Sequence, residues 1–182
     1  MTKEFSADRL DIRAFTQQQG ELEGAEALQH YPRLAQDQPA DTAGQVRWHA
    51  QGFEEGDDAR GKQSWLHLEA ETVLRMTCQR CLQPADITVA VDRDFRFVAD
   101  EDAALGQDDD SDEDILVFDK QFNLHELIED ELLMETPMVP MHDACPQAVV
   151  LESSTQGFET ATEGKPNPFA ALASLRIEKS GE

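Results

Sequence analysis

A period of two from residue 66 to residue 78 constrains the fold of this chain more than any other feature of its sequence. Every second residue there is apolar or small, whereas the residues between them are mostly polar. Because successive side chains of a strand point to opposite faces, the pattern predicts an antiparallel strand with one buried and one solvent-facing side. The buried parity comprises Leu66, Leu68, Ala70, Thr72, Leu74, Met76 and Cys78.

A second alternating stretch predicts that the chain returns beside this strand. Pro84 cannot donate to a central ladder and therefore marks a turn after residues 78–83. Residues 66–97 are predicted to form a long hairpin, although Arg93 occupies the apolar parity of the returning strand, which indicates a bulge or a strand end that emerges into solvent. Residues 46–50 predict another strand. The alternating apolar residues of the returning strand are Ile87, Val89, Val91, Phe95 and Phe97.

The region after the hairpin predicts an acidic loop, a short strand and one main helix. Nine of the fifteen residues from 100 to 114 are acidic, which predicts a mobile loop over residues 99–114. Residues 115–118 predict a strand. Asn123 and Glu126 have the spacing of a capping box, and Pro137 ends the helix that follows. The helix is predicted to bury Leu124, Leu127, Ile128, Leu132 and Met134 and to expose Glu126, Glu129, Asp130 and Glu131.

These elements predict an α+β fold, with an antiparallel sheet or hairpin core and one main helix. Residues 1–40 are predicted to be a polar N-terminal segment with a short amphipathic helix near Leu22–Gln29, and residues 41–148 the core domain. Residues 149–182 are predicted to be a flexible tail with an amphipathic segment at 167–176, which would dock on the same chain or on a partner. Its docking residues would be Asn167, Pro168, Phe169, Leu172 and Leu175.

The charge restricts the class of partner. The chain has 15 Lys and Arg residues against 38 Asp and Glu residues, a formal net charge of −23. Binding to nucleic acid mainly by phosphate neutralisation requires a basic face, so the balance favours a basic protein partner, with simple solubility as the alternative. Neither an apolar signal region nor a membrane-spanning stretch is visible, which predicts a cytoplasmic protein.

The three cysteines form part of a spacing that is typical of zinc sites. Cys78 and Cys81 are separated by two residues at the hairpin tip, and so are His142 and Cys145 after the helix. Two such pairs commonly hold one tetrahedral zinc ion. The alternative is that Cys78 is a core residue and the others are ordinary reduced thiols. A thioredoxin-like redox site is disfavoured, because such a motif belongs at a strand-to-helix junction.

Four arginines form a local exception to the acidity. Arg75, Arg80, Arg93 and Arg96 lie on or beside the hairpin arms, where they would contact RNA or a partner. Alternatively, they pair across the strands with Glu69, Glu71, Asp92 and Asp94. The sequence contains no GxGxxG, Walker, GxSxG or HExxH motif, so no catalytic residue is predicted.

Three stretches together resemble the YceD family of bacterial and plastid proteins. They are Cys78-Gln79-Arg80-Cys81-Leu82 after the alternating strand, residues 129–142 from Glu-Asp-Glu-Leu-Leu to Pro-Met-Val-Pro-Met-His, and the terminal residues 165–175. The resemblance implies a non-catalytic role in the synthesis, processing or stability of 23S ribosomal RNA and in accumulation of the large ribosomal subunit.

The resemblance and the charge together suggest a mechanism. The acidic surface would shield a basic large-subunit ribosomal protein until that protein meets 23S rRNA. Direct binding of a 23S rRNA precursor through the arginines, or a zinc-stabilised interaction module, are the alternatives. No small-molecule substrate and no membrane partner are expected.

Overall fold

The computed structural model describes residues 5–36, 38–39, 44–56, 61–108 and 113–147, together with Phe169. The strands are β1 (Glu21–Ala27), β2 (Gln45–Glu55), β3 (Gln63–Thr77), β4 (Pro84–Val98) and β5 (Asp114–Val117). The helices are α1 (Ile12–Gln17), α2 (Pro32–Ala35), α3 (Glu101–Asp108) and α4 (Leu124–Glu135), and single 3₁₀ turns cover Ala7–Arg9 and Leu28–His30. Within the described part of the chain, every helix is too short or too polar to span a membrane.

The five strands form one sheet in sequence order. The first three strand pairs are antiparallel, and β5 adds to β4 in parallel at the edge. β3 and β4 pair without interruption from Ser64 opposite Phe97 to Thr77 opposite Pro84. Pro84 is the first residue of its strand, where a proline is tolerated. The predicted α+β class, the long hairpin and the strand near residues 46–50 are confirmed.

The core lies on one face of this sheet. α1 packs over β2, and α4 packs over β3 and β4. Leu66, Leu68 and Phe95 of the hairpin belong to the same hydrophobic cluster as the buried leucines and isoleucine of α4. The shared core therefore fixes α4, and with it the chain that leaves its C-terminal end, relative to the hairpin.

The structure corrects the prediction for Arg93. The β3–β4 register shows no bulge there, and Arg93 stays on the core face opposite Leu68. Its guanidinium reaches the acidic side of α4, with Nη2 2.9 Å from a Glu135 oxygen and Nε 3.5 Å from a Glu131 oxygen, and Nη1 lies 3.2 Å from an Asp114 oxygen. Neither predicted explanation was right, because ion pairing satisfies the charge at the edge of the core.

The helix predicted near Leu22–Gln29 is wrong, because residues 21–27 form strand β1. Gly24 faces Trp48 across the β1–β2 pair, and a Cβ atom on Gly24 would lie 2.6 Å from the Trp48 ring. The N-terminal helix is α1 instead, capped by the Asp11 side chain. Several residues of the N-terminal region pack in the same core as the hairpin. They are Leu10, Ile12, Phe15, Leu28, Tyr31 and Leu34.

The acidic stretch is not a loop throughout. Residues 101–108 form α3, whose N-terminus is capped by Asp100, a side-chain acceptor for the Ala103 amide at 2.9 Å. Acidic residues in a first turn are favoured by the helix dipole, and Ala103 and Ala104 are good helix formers. Residues 109–112 of the predicted loop lie outside the described part of the chain.

Helix α4 confirms the predicted Asn123 cap, because the Asn123 side chain accepts from the amides of His125 and Glu126. Two side chains predicted to be exposed, Glu129 and Glu131, are buried, whereas Met134 is exposed. Glu129 is buried because its carboxylate accepts from the amides of Arg33 and Leu34 at 2.7 and 3.2 Å and from the Arg33 guanidinium. The helix therefore has a polar contact with α2 within its buried side.

Candidate functional site

Two segments meet at the tip of the hairpin. The first is the turn between β3 and β4, which is closed by hydrogen bonds from the Cys78 amide to the Gln83 carbonyl and from the Leu82 amide to the Cys78 carbonyl, at 2.9 and 2.8 Å. Leu82 has a φ of 59°, in the left-handed region that favours glycine. This turn brings the sulfur atoms of Cys78 and Cys81 within 4.8 Å of each other.

The second segment is the chain that follows α4. α4 ends before Pro137, and the chain then crosses to the turn. The amide of Gln79 donates to the Pro140 carbonyl at 2.9 Å, and the His142 ring bonds the Pro84 carbonyl at 2.9 Å. These two contacts hold the loop on both sides of the turn and bring His142 and Cys145 to the two cysteines.

The four residues of the predicted zinc spacing come together here. One ligand atom from each of Cys78, Cys81, His142 and Cys145 lies within 4.8 Å of the others. Cys78 is buried, the other three are half-buried, and all three thiols are free. A tetrahedral zinc ion holds its sulfur ligands about 3.8 Å apart, so this Cys₃His set is compatible with zinc.

The protonation of His142 fits a metal ligand. Its Nε2 atom must carry the proton, because the Pro84 carbonyl can only accept a hydrogen bond. The other nitrogen, Nδ1, is then free of a proton in the neutral ring and faces the Cys81 sulfur at 3.4 Å. A histidine that donates from one nitrogen to a carbonyl and offers the other is the usual arrangement around metals.

The thiols differ in their readiness to ionise. Burial opposes ionisation of the Cys78 thiol, but hydrogen bonds from the backbone amides of His142, Cys81 and Arg80 outweigh burial and lower the pKa of Cys78 to about 5. Burial raises the pKa of Cys145 to about 11, and hydrogen bonds and charge from Cys81 and Cys78 act in the same direction. The turn and the loop after α4 thus stabilise a thiolate together, which is the form that binds metals.

The structure does not gather the four arginines into one patch. Arg75 lies opposite Asp86 near the tip, with 3.7 Å between Nε and the carboxylate. Arg93 is seven residues away along the hairpin, about 23 Å, on the core face. Arg96 is buried on the other face, 6.0 Å from the Trp65 ring. Arg80 is exposed in the turn, and its role as an RNA or partner contact remains a prediction, as do those of the other three.

The solvent side of the sheet carries an acidic face that the sequence analysis did not identify. Glu69 of β3 lies directly opposite Asp92 of β4, although like charges in such positions are destabilising. The His67 ring lies between them and Asp94, 2.9 to 3.9 Å from all three carboxylates. His49 of β2 similarly contacts Glu21 at 2.7 Å. We define the acidic face as Glu21, Glu69, Asp92 and Asp94.

A polar cleft of about 910 Å³ contains other residues that sequence reasoning missed. His125 Nδ1 lies 2.9 Å from an Asp8 oxygen, and its Nε2 lies 3.7 Å from Glu26. Arg33 and Glu129 line the same cleft, whose described lining contains no serine, threonine or cysteine. No sequence signal identifies it, because its residues come from three distant parts of the chain.

The predicted docking residues Asn167, Pro168, Leu172 and Leu175 lie outside the described part of the chain. Phe169 is described and is exposed.

Comparison with known proteins gives one consistent finding. The model of the family described as large ribosomal RNA subunit accumulation protein YceD matches residues 66–176. A protein of Haemophilus influenzae with that same name is 33% identical over 108 residues, which cover 56% of this chain and 59% of the relative. The chain thus aligns with only about three fifths of the length of this curated relative. No solved structure matches the chain.

Proposed function

The chain belongs to the YceD family, and on that premise we propose that it is a non-catalytic factor in large-subunit biogenesis. The family name describes accumulation of the large ribosomal RNA subunit and no enzyme activity. The chain would work in the cytoplasm and support the synthesis, processing or stability of 23S rRNA.

The proposed mechanism is shielding of a basic large-subunit protein before it meets its RNA. The observation that carries it is the acidic face, where Glu69 and Asp92 oppose each other on a solvent-facing sheet. A cationic partner relieves that repulsion, and the net charge of −23 attracts it over distances near the Debye length, roughly 8 Å at physiological salt. Free RNA is repelled by the same field.

Direct RNA binding is less well supported. Arg93 is bonded to three carboxylates and Arg75 is close to a fourth, so both would have to exchange an internal partner for a phosphate. Among the described residues no carboxylate pairs with Arg80. Of the four predicted arginines, Arg80 is thus the one that is exposed and has no described carboxylate partner, which is a small basis for phosphate neutralisation.

Affinity capture of the tagged protein from native lysate tests the shielding proposal. We expect one or two basic large-subunit proteins at low salt and a steep loss of them at high salt. E69Q/D92N should lower their recovery, whereas E101Q/D102N, with the same charge change on α3, should not. Recovery of 23S precursors that survive moderate salt, or a partner equally retained by both variants, would contradict the proposal.

We also propose that Cys78, Cys81, His142 and Cys145 hold one zinc ion. Bound zinc would supply a crosslink between the β3–β4 turn and the loop after α4. The support is the convergence of four suitable ligand atoms and the tautomer of His142. The role is structural, because all four zinc positions are occupied by protein ligands.

Metal analysis of the purified protein tests this second proposal. We expect one zinc per chain, and after replacement by cobalt the absorption bands of a tetrahedral cobalt thiolate site. C81S and C145S should lose the metal. H67A is the matched control, since His67 belongs to a separate histidine–carboxylate group on the acidic face and should leave zinc binding intact. Zinc retained in both cysteine variants would refute the site.

A further inference from the structure

We infer that the hairpin tip carries a docking surface for a cationic amphipathic helix of a protein partner. The surface, here called the tip patch, consists of Leu82, Met138, Val139 and Met141. The inference rests on the proposed function and deepens it, because it names the shape and chemistry of the partner segment and the place where it binds.

The tip patch is a concentration of exposed apolar side chains. Leu82, Met138, Val139 and Met141 are 70%, 99%, 58% and 46% exposed. The hydrogen bond between Gln79 and Pro140 holds the two segments together, and the Met141 sulfur lies 3.8 Å from the Arg80 guanidinium. The large apolar side chains of the described residues are otherwise exposed only at Val73, Leu105, Met134 and Phe169. A group of this kind marks an interaction site more often than single exposed residues do.

Leu82 gives an independent indication of function. It combines 70% exposure with a φ of 59°, so the leucine side chain is neither buried nor suited to its backbone conformation. Glycine or asparagine would occupy this position with less strain. Residues held in sparsely populated backbone conformations cluster at functional sites, and a contact with a partner explains why a large apolar side chain occurs at this position.

The residue types favour a helical protein segment over nucleic acid. Methionine is flexible and polarisable and adapts to varied apolar surfaces, as in proteins that bind amphipathic helices. Binding of single-stranded nucleic acid uses stacking aromatic side chains along a basic groove, and the tip patch has neither.

Charge complementarity identifies the partner segment further. The chain carries −23, so lysine or arginine flanking the apolar face of a partner helix is attracted by the long-range field, whereas next to Met141 the Arg80 guanidinium favours a neutral or acidic residue of that helix. A second copy of this chain is a poor occupant for the same reason, since two chains of equal charge repel each other. The cationic amphipathic helix satisfies both the apolar contact and the long-range field.

Peptide binding to the full chain tests the inference. The probe is a fluorescent helical peptide of leucine and lysine with leucines at three- and four-residue spacing, and its control is a scrambled peptide of the same composition. We expect the amphipathic peptide to bind at least about tenfold more tightly than the scrambled one. M138S/V139S/M141S should remove this preference, while L105S, which replaces a 74% exposed leucine on α3, should keep it.

Leu82→Gly separates docking from folding, because it relieves strain and removes the side chain. We expect unchanged or higher thermal stability together with an about fivefold weaker binding of the amphipathic peptide. Equal binding of both peptides, or full binding by the triple variant, would overturn the tip patch as the site. A concentration-dependent dimer that the triple variant abolishes would instead identify a second copy as occupant and overturn the cationic helix.

The peptide assay is independent of ribosomes. Selective peptide binding without capture of any large-subunit protein from lysate would contradict the proposed function and leave the docking surface supported. Capture of a basic ribosomal protein that the triple variant does not reduce would support the proposed function and contradict the tip patch as the docking surface.

Discussion

The middle of the β3–β4 hairpin and its tip belong to the same two strands but are held in place differently. In the middle, Leu66, Leu68 and Phe95 are fully buried against α1 and α4. At the tip, a strained turn and a proline-containing loop meet through one backbone hydrogen bond, the hydrogen bond of the His142 ring to the Pro84 carbonyl, and a cluster of three thiols and an imidazole. The middle is a hydrophobic core, whereas the tip has little apolar burial of its own.

This difference separates stability from function within one hairpin. Burial of aliphatic side chains stabilises the middle without any ligand. The tip instead presents apolar side chains to solvent and therefore needs another source of order, which the proposed zinc crosslink would provide. Changes in the middle should affect the whole fold, and changes at the tip should act locally.

The largest expected effect is that of a cavity in the middle. Leu68→Ala should lower the free energy of unfolding by about 2–5 kcal/mol, because it removes a fully buried side chain from the strand at the centre of the sheet. Val73→Ala, on the exposed side of the same strand, is the control and should change stability by less than about 0.5 kcal/mol. Urea denaturation measures the free energy of unfolding of both variants. Similar losses in the two would contradict the conclusion that burial in the middle of the hairpin stabilises the fold.

Removal of metal should have the next largest effect. Zinc that binds only the native state stabilises it by about 2.7 kcal/mol at a hundredfold excess over its dissociation constant. A chelator should therefore lower the melting temperature of the protein but not that of C81S. Hydrogen exchange locates the change: the amides of Gln79 and Leu82 should lose protection, while those of Leu66 and Leu68 should not. Uniform loss along the hairpin would mean that the tip and the middle unfold together.

Glu129 tests whether polar contacts can be as important as apolar ones on the core side. E129Q removes the charge from an acceptor of two backbone amides and a guanidinium, and we expect a loss of about 1–2 kcal/mol in the free energy of unfolding. D130N removes only an exposed partner of the same Arg33 and should cost less than about 0.5 kcal/mol. An equal loss in both variants would assign the effect to Arg33 alone.

Local patterns predicted the elements whose signals are local. The hairpin follows from a period of two that is sustained over both arms, and α4 follows from Asn123 and Pro137. β1 was missed because its apolar residues are few and also fit a helical spacing, and only the partner strand selects the extended form. The burial of Glu129 depends on Arg33, 96 residues earlier in the chain, which no local pattern contains.

The candidate site was predictable in its residues but not in its surroundings. The two pairs with equal spacing identified Cys78, Cys81, His142 and Cys145. Their convergence depends on α4 packing against the hairpin, and the tautomer of His142 depends on the Pro84 carbonyl. The acidic face was missed because it combines residues from three strands, and their cross-strand register becomes visible only in the sheet.

Glu131 is a buried carboxylate on the core side that has fewer hydrogen-bond and ion-pair partners than Glu129. Burial raises its pKa; the Arg93 charge opposes this shift, and the nearby charges of Asp114, Asp130 and Glu135 add to it. The folded state therefore binds a proton at Glu131 more tightly than the unfolded state. The unfolding free energy consequently falls as pH rises through the raised pKa, so ionised Glu131 is a cost at neutral pH.

E131Q should therefore have the smallest effect, with a sign that depends on pH. The glutamine keeps the shape and removes the charge, and Arg93 retains Glu135 and Asp114 as partners. At neutral pH we expect the variant to equal or exceed the wild type by less than about 1 kcal/mol, and the difference should shrink as pH falls and Glu131 takes up its proton. E135Q, on the exposed side of the same guanidinium, should not show this trend. Urea denaturation across the acidic range measures both variants. A pH-independent loss of unfolding free energy in E131Q would show that the Arg93–Glu131 attraction exceeds the cost of burying the carboxylate. The Arg93–Glu131 pair would then stabilise the core side, as the Arg33–Glu129 pair is expected to do.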